Sequence, residues 1–349
     1  MDLDLRRADY SLSDDQEALQ AAFETFFERE CPATRVRSAE PFGFDEELWQ
    51  RLAGMRAVAM GVPESGGGDG AGLEELILVA EEVGRRVAPV PVIEAVVAAR
   101  LLAAVPAGAD TLDAVLRGSV IPTIALHAGG GDQLVPGGSV ARAAIALVGD
   151  DLVLAERDRP PEQVANQGHA PIAWWDLGGS DVERRTLATG REGRDLFEQA
   201  GREWRILTSA ALIGMSRAVL DLGVQHARDR VAFGAPIGTF QAVSHSLVDV
   251  AMSVDTGRRL VRKATWYQQH EPGVHRHLVP MAYFYAQEAA VEATTVAVHV
   301  LGGVGFTVES DAQLYFRRAK GWTLVAGDPQ RELGALADQL FGPAQVVGA

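Results

Sequence analysis

Arg230-Val231-Ala232-Phe233-Gly234-Ala235-Pro236-Ile237-Gly238-Thr239-Phe240-Gln241 separates two long patterns of apolar residues spaced three and four apart. Such spacing places apolar side chains on one face of a helix. The pattern before the stretch is formed by Leu207, Ala211, Gly214, Ala218 and Leu222, and the pattern after it by Phe240, Val243, Leu247, Val250 and Val254. Gly234 tolerates backbone angles that other residues avoid, and Pro236 lacks the amide that a helix interior needs. The sequence therefore predicts two helices joined by a turn at residues 230–241.

The predicted turn carries three side chains that suit a phosphate group. Arg230 offers a forked cation, Phe233 an aromatic ring, and Gln241 a carboxamide at the start of the second helix. Free amides at a helix N-terminus favour anions, and a guanidinium matches the geometry of phosphate oxygens. A plain helix connection with a surface arginine explains the same residues, so both interpretations stand at this point.

The composition argues against several classes of protein. The chain has 349 residues, a net charge of −15 and a single cysteine, Cys31. The acidic excess, with no basic run, argues against a nucleic-acid partner. No uninterrupted apolar run approaches the roughly 20 residues of a membrane span, and the N-terminal MDLDLRRADY has no apolar signal core, so we expect a cytoplasmic protein. One cysteine allows no internal disulfide and gives no support to a metal site.

Helical signals dominate the first third of the chain. Ser13 precedes acidic residues and the apolar Leu19, Phe23 and Phe26, which predicts a helix that begins near Ser13. A second helix is predicted to start at residues 44–49. A Gly-rich loop follows at residues 62–70, and then a third helix whose apolar face is formed by Leu76, Val79, Val83 and Val87.

The middle of the chain has a different pattern, with short β-branched and apolar runs separated by Gly, Pro and Asp. Strands are predicted at residues 120–126, 143–148, 152–154 and 172–175, which together indicate a small β-domain. The run Gly129-Gly130-Gly131 could be a phosphate cradle, but it lacks the spaced glycines and the following helix start of such motifs.

Helical periodicity returns near Arg194 and continues to the end of the chain. A long helix is predicted from apolar and small residues at Val279, Ala282, Ala286, Ala289, Ala293, Val296 and Val300. It ends in a segment that contains His299, Gly302, Gly303 and Gly305. Glycine commonly ends helices, and it also lets a pyrophosphate approach the backbone closely. We divide the chain into domains at residues 1–118, 119–198 and 199–349.

Two of these segments resemble motifs of one family. R-x-x-F-G-x-P-I-x-x-F-Q, here from Arg230 to Gln241, resembles the C-terminal domain of the acyl-CoA dehydrogenases. The segment from His299 to Phe306 is similar to the family's Q-x-x-G-G-x-G-(F/Y), with His299 in the place of Gln. The N-terminal order L-S-x-x-Q, L-W, V-P-E-x-x-G-G-x-G and E-E-x-G-R also resembles this family.

The resemblance implies a mainly α fold with a small β-domain: an N-terminal helical domain, a middle β-barrel-like domain and a C-terminal four-helix bundle. It also implies contacts to an FAD bound mainly by a neighbouring subunit. The residues that it assigns to these contacts are Arg230, Phe233, Gly234, Gln241, His299, Gly302, Gly303 and Gly305.

The sequence departs from the family where the chemistry takes place. The family's flavin-ring segment T-E-P-x-x-G-S-D is replaced here by residues 125–133, without the hydroxyls or the Glu-Pro pair. The catalytic Glu position holds Ala326, whose methyl group accepts no proton. The alternative base position of some relatives falls on Trp204, next to Glu203.

These departures imply a subunit of a heteromeric, α2β2 acyl-CoA dehydrogenase that contributes FAD contacts but no catalytic residue. A homologous partner would carry the base and bind most of the acyl-CoA, a bulky and possibly steroid-derived thioester, and an electron-transfer acceptor would reoxidise the flavin. Two alternatives remain open. The chain could act alone with Glu203 or Asp328 as the base, or it could be a structural homologue that binds no flavin.

Overall fold

Six helices form the N-terminal part of the protein, whose computed structural model describes residues 10–342. Their bounds are α1 Asp14–Glu30, α2 Ala33–Ser38, α3 Glu46–Gly54, α4 Leu73–Arg85, α5 Val92–Ala103 and α6 Ala109–Leu116. The predicted start of α1 is confirmed. Ser13 Oγ accepts a hydrogen bond from the Gln16 amide, and the Gln16 side chain accepts one from the Ser13 amide. This reciprocal cap satisfies two backbone donors that the helix itself leaves unpaired. Residues 1–9, on which the expected absence of a signal core rests, lie outside the described residues.

Six strands follow, with bounds β1 Pro122–Ile124, β2 Asp132–Val135, β3 Ala143–Val148, β4 Asp151–Glu156, β5 Ala173–Asp176 and β6 Glu183–Ala188. Four of them form a sheet in the order β1-β3-β4-β6, with β1 parallel to β3 and the other pairs antiparallel. The other two, β2 and β5, form a separate antiparallel ladder. Strands β1, β3, β4 and β5 confirm predicted ones, whereas β2 and β6 were not predicted.

The four-stranded sheet lies between the helices and the β2–β5 ladder. Ile145 and Leu154 belong to the large core that the helices share, while Ala146 and Val153 belong to a smaller core with Trp175 of β5. Neighbouring residues of a strand point to opposite faces, so one sheet can serve both cores. The small β-domain is thereby fixed against the helices on one face only.

The C-terminal part consists of α7 Gly190–Asp229, the short strands β7 Val231–Ala232 and β8 Ala235–Pro236, α8 Gln241–His270, α9 Leu278–Leu301, α10 Asp311–Trp322 and α11 Pro329–Phe341. The predicted turn between two long helices is confirmed. The predicted division between residues 198 and 199 lies inside α7 and stays a prediction.

Helix α7 is the central element and packs against α4, α8 and α9. Two glycines allow its backbone to touch that of α4. A Cβ at Gly84 would overlap Ala211 O, and a Cβ at Gly214 would overlap Glu81 O. At this contact the two helices approach more closely than side chains on both would allow.

Two segments are long and apolar enough to cross a membrane by length and composition alone, namely α7 and the stretch Leu278–Phe306. The apolar window of α7 is 78% buried inside the protein, as expected for the core helix of a bundle. These two segments are therefore weak evidence for a membrane span.

Candidate cofactor-binding site

The turn after α7 has an unusual backbone. Strands β7 and β8 pair Ala232 with Ala235, which leaves Phe233 and Gly234 as a two-residue hairpin loop. Both loop residues have left-handed backbones, with φ of +53° and +82°. A two-residue loop of this type demands positive φ at both positions, which suits glycine but strains an aromatic residue. The Phe233 side chain is 99% exposed, so burial among the described residues does not compensate for the strain.

The side chains of the turn remain available to a ligand. Phe233 meets Phe240 edge to face, with ring centroids 6.2 Å apart. Arg230 is exposed, and its guanidinium has no hydrogen-bond or ion-pair partner within residues 10–342. Gln241 is the exposed first residue of α8. A free cation, an uncovered ring and a helix start can together bind a phosphorylated ligand.

The Gly-rich segment after α9 has two open glycines and one packed glycine. Added Cβ atoms at Gly302 and Gly303 would have no atom within 4 Å, whereas a Cβ at Gly305 would lie 2.8 Å from Val298 O. Packing against Val298 therefore explains why residue 305 is a glycine. Gly302 and Gly303, in contrast, leave the backbone open to the close approach of a ligand. His299 is exposed on the last turn of α9, and Phe306 is 71% exposed.

The structure brings these two segments to the same end of the helical bundle. A Cβ at Gly223 of α7 would lie 3.0 Å from Leu247 of α8 and 3.9 Å from Ala297 of α9. With a rise of about 1.5 Å per residue, the end of α7, the start of α8 and the end of α9 each lie within roughly 10 Å of this contact along their axes. The two segments that carry the predicted site residues thus lie at one end of the bundle.

A separate cavity of about 80 Å³ lies beneath the junction of the helices and the β-domain, with Glu94, Trp204, Thr208, Arg318 and Trp322 in its wall. The Trp204 indole donates a hydrogen bond to Glu94 Oε1 at 3.1 Å. Burial raises the pKa of the Glu94 carboxyl above its ordinary value. Sequence reasoning missed Glu94, although an isolated acid in the apolar helix α5 was a usable signal.

The possible base positions hold no carboxylate directed at this cavity. Ala326 is buried. Glu203 accepts hydrogen bonds from Arg100 Nε at 2.8 Å and Gln199 Nε2 at 3.0 Å, and it lines a different groove. Asp328 is exposed and caps α11 by accepting a hydrogen bond from the Gln330 amide at 3.0 Å.

The segments that would flank a flavin ring are in contact with each other. A Cβ at Gly327, next to Ala326, would lie 3.8 Å from the ring of His127, which belongs to the altered flavin-ring segment. A ring inserted between two surfaces needs roughly 7 Å, twice a van der Waals contact. Cofactor-sized ligands also need sites of about 300 Å³ or more. The junction cavity, at about 80 Å³, is smaller than such a site.

Two family models match the chain. Residues 13–107 match the N-terminal domain and residues 191–341 match the C-terminal domain of acyl-CoA dehydrogenases. The acyl-CoA dehydrogenase IpdE2 of Mycolicibacterium smegmatis is 28% identical over 95% of this chain and 100% of its own length.

Solved structures agree with these matches. A chain of the ChsE4-ChsE5 complex of Mycobacterium tuberculosis is 25% identical, with a TM-score of 0.84 over 96% of this chain and 100% of that chain. A chain of the steroid acyl-CoA dehydrogenase Tcur3481-Tcur3483 is 26% identical, with a TM-score of 0.82 over 95% of this chain and 98% of that chain.

The helical domains, the small sheet and the paired motifs define a flavin-dependent oxidoreductase fold. The chain belongs to the acyl-CoA dehydrogenase family, whose members are FAD-dependent flavoproteins.

Proposed function

We propose that this chain is the non-catalytic subunit of a heteromeric, α2β2 acyl-CoA dehydrogenase located in the cytoplasm. The observation that carries the proposal is the contrast between the turn that contains Arg230 and the position of the family's catalytic base. Arg230 and its neighbours remain free to bind a ligand. The base position, in contrast, is a buried methyl group at Ala326. A homo-oligomer of such chains would have nucleotide contacts but no carboxylate at the family's base position.

In this proposal the chain binds the nucleotide end of an FAD whose flavin ring lies in the partner subunit. The Arg230 guanidinium donates hydrogen bonds to the phosphate oxygens of FAD, and Phe233 covers an apolar edge of the nucleotide. Gln241 and His299 supply further hydrogen bonds to the nucleotide. Gly302 and Gly303 let the backbone approach, as their open Cβ positions permit. FAD, when bound, accepts the β-hydrogen of the acyl thioester as a hydride, while the partner's carboxylate removes the α-proton.

The relatives support our proposal for the substrate class and the partner. The ChsE4-ChsE5 structure is a complex of two differently named chains, and the Tcur3481-Tcur3483 enzyme is described as a steroid acyl-CoA dehydrogenase. Their coverage of nearly the whole chain supports a bulky, steroid-derived acyl-CoA as the substrate of the complex. We assign the acyl-CoA mainly to the partner, and reoxidation of the flavin to a separate electron-transfer protein.

Coexpression with a candidate catalytic partner tests this function. We expect the purified complex to be yellow and the single chain to be colourless. Arg230→Ala should weaken flavin retention by the complex about 10- to 100-fold, the effect of losing one charge-assisted hydrogen bond. Arg191→Ala is a matched control, because Arg191 is highly exposed near the start of α7, far along the helix from Arg230.

Two outcomes would contradict the proposal. Stoichiometric flavin in the single chain, together with acyl-CoA oxidation that Glu203→Gln abolishes, would show a self-sufficient enzyme. Unchanged flavin content in the Arg230→Ala complex would indicate a homologue that makes no contact with the cofactor.

A further inference from the structure

The cavity at the junction of the helices and the β-domain has a mainly apolar wall. Val83 of α4 and Ile93 of α5 form one part of it. Trp204 of α7 and Trp322 of α10 form another. The cavity volume is about 80 Å³. A dry cavity of about 150 Å³ holds benzene, and a water molecule takes about 30 Å³ of the liquid, so this cavity has room for roughly three or four non-hydrogen atoms.

Two buried side chains in this wall have a polar atom without a partner. Thr208 is 6% exposed and Arg318 is 2% exposed. Within residues 10–342, neither Thr208 Oγ1 nor Arg318 Nη2 makes a hydrogen bond. A buried donor without an acceptor destabilises the folded protein, most of all when the donor is charged. Both atoms are therefore available to a ligand in the cavity.

The cluster that contains Arg318 carries more positive than negative charge. Arg317 Nη2 and Arg318 Nη1 donate hydrogen bonds to Glu40 at 2.9 Å and 3.0 Å. Among the residues that the structure describes, Glu40 is the only carboxylate bonded to either arginine. Burial lowers the pKa of the Arg318 guanidinium, and Glu40 opposes that shift only in part. Two guanidiniums thus share one carboxylate, and a second anion beside them would be attracted.

Glu94 contributes the carboxyl group in the cavity wall. Burial raises the pKa of this carboxyl above its ordinary value, although the hydrogen bond from the Trp204 indole opposes the shift. Glu94 therefore keeps its proton to a higher pH than an exposed glutamate does, and it repels an anion less. In its protonated form it can also donate a hydrogen bond.

We propose that the junction cavity binds one small carboxylate anion of the size of acetate. The carboxylate oxygens accept hydrogen bonds from Arg318 Nη2 and Thr208 Oγ1, and the methyl group lies against the apolar wall. A charge in such a dry site is stable only when it is paired and hydrogen bonded, and these two donors meet that condition. Within residues 10–342 the cavity wall includes none of the residues assigned to the FAD contacts, so the inference goes beyond the proposed function and does not depend on it.

Calorimetric titration of the full-length chain with acetate, in a buffer without carboxylates, tests the site. We expect saturable binding of one acetate per chain, with a dissociation constant of about 1 mM or lower for a ligand of so few atoms. Acetamide has nearly the same size but no charge, and it should bind about 10- to 100-fold more weakly. Trimethylacetate is too large for the cavity and should not bind.

Variants of the two donors locate the binding. Thr208→Val removes the hydroxyl donor, keeps the branched shape of the side chain and should weaken acetate binding about 10-fold. Thr25→Val is the matched control, because Thr25 is exposed on α1. Arg318→Lys keeps a cation beside Glu40 but removes the forked guanidinium, so it should also weaken acetate binding. If Arg318→Lys does not fold, the Thr208→Val titration still decides.

Three outcomes would overturn the inference. Equal acetate affinity in wild type and Thr208→Val would show that acetate binds elsewhere. Binding that does not saturate by about 100 mM acetate, or trimethylacetate binding as tight as acetate binding, would show that the cavity is not a site for a small carboxylate. Arg230→Ala should keep the acetate affinity of the wild type, because Arg230 lies at the end of α7 and not in the cavity wall. The inference can therefore fail while the proposed function stands, since flavin retention by the complex tests that function separately.

Discussion

Trp204 donates its indole N–H to the carboxyl of Glu94, 3.1 Å away, in the wall of the junction cavity. Trp204 is the residue that sequence counting places at the alternative base position, and its side chain is buried. The carboxyl that does face the cavity comes from α5. Burial raises the pKa of the Glu94 carboxyl above its ordinary value, and the hydrogen bond from Trp204 opposes that shift.

Replacing Trp204 should expose the dependence of Glu94 on this bond. Trp204→Phe leaves the carboxyl without its donor and should lower the free energy of unfolding by about 1–3 kcal/mol. Trp204→Phe combined with Glu94→Leu should recover part of that loss, because both partners are then apolar. Urea denaturation measures each variant, with Trp174→Phe as a control on the 55% exposed Trp174. Equal losses in the single and double variants would contradict the coupling.

Glu82 should make stability depend on pH. Burial is the main cause that raises the pKa of Glu82 to about 7, and Arg85 opposes it only partly. The folded state therefore binds a proton that the unfolded state has released between about pH 4.5 and 7, so the free energy of unfolding falls as pH rises through this window. Glu82→Gln should remove this fall.

The measurement is the difference in unfolding free energy between wild type and Glu82→Gln at several pH values. It should change between about pH 4.5 and 7 and stay constant above about pH 8. Glu17→Gln, at an exposed position on α1, should show no comparable change. A constant difference for Glu82→Gln across the window would contradict the raised pKa.

Glu40 should produce the opposite dependence. Burial alone would raise its pKa, but hydrogen bonds from Arg318 and Arg317 outweigh burial and hold the pKa below the ordinary value of 4.5. Stability from this cluster is therefore present above about pH 4.5 and is lost as pH falls through the lower, folded-state pKa. Glu40→Gln leaves the buried Arg318 without its counter-charge and should cost about 3 kcal/mol at neutral pH. Glu47→Gln, at an exposed ion pair with Arg51, should change the free energy of unfolding much less in the same urea titration.

Features that depend on residues close together in the chain could be predicted from the sequence. The cap at Ser13, the turn from Arg230 to Gln241 and the open Gly302 follow from short-range patterns, and the structure places them as expected. Strand β6 was missed because its residues Glu183-Arg184-Arg185-Thr186 are mostly solvent-facing, so no apolar alternation marks it. The FAD contacts assigned to the turn and to the Gly-rich segment stay a prediction.

The segment Gln163–Ile172 could not be predicted, because its structure depends on partners that are distant in the sequence. Gly168 and Gly321 carry no local signal that they will touch, and the cluster of Glu40, His169 and Arg317 joins three separate parts of the chain. Long-range packing of this kind overrides local propensity. Glu94 is different, since its position in an apolar helix was visible in the sequence and was overlooked.

Phe233 offers a prediction with opposite effects on stability and on cofactor binding. Its left-handed backbone strains an aromatic residue, so Phe233→Gly should raise the unfolding free energy of the flavin-free complex by about 1 kcal/mol. The same change removes an exposed ring that, in the proposed function, covers the bound nucleotide, and should weaken flavin retention. Thermal denaturation without flavin and flavin titration measure the two effects separately. Phe233→Asn is the control, because asparagine tolerates positive φ without supplying a ring. If Phe233→Gly stabilises the complex and leaves flavin affinity unchanged, Phe233 is not part of the cofactor site. The strained backbone at this position is then kept for a contact other than the one with FAD.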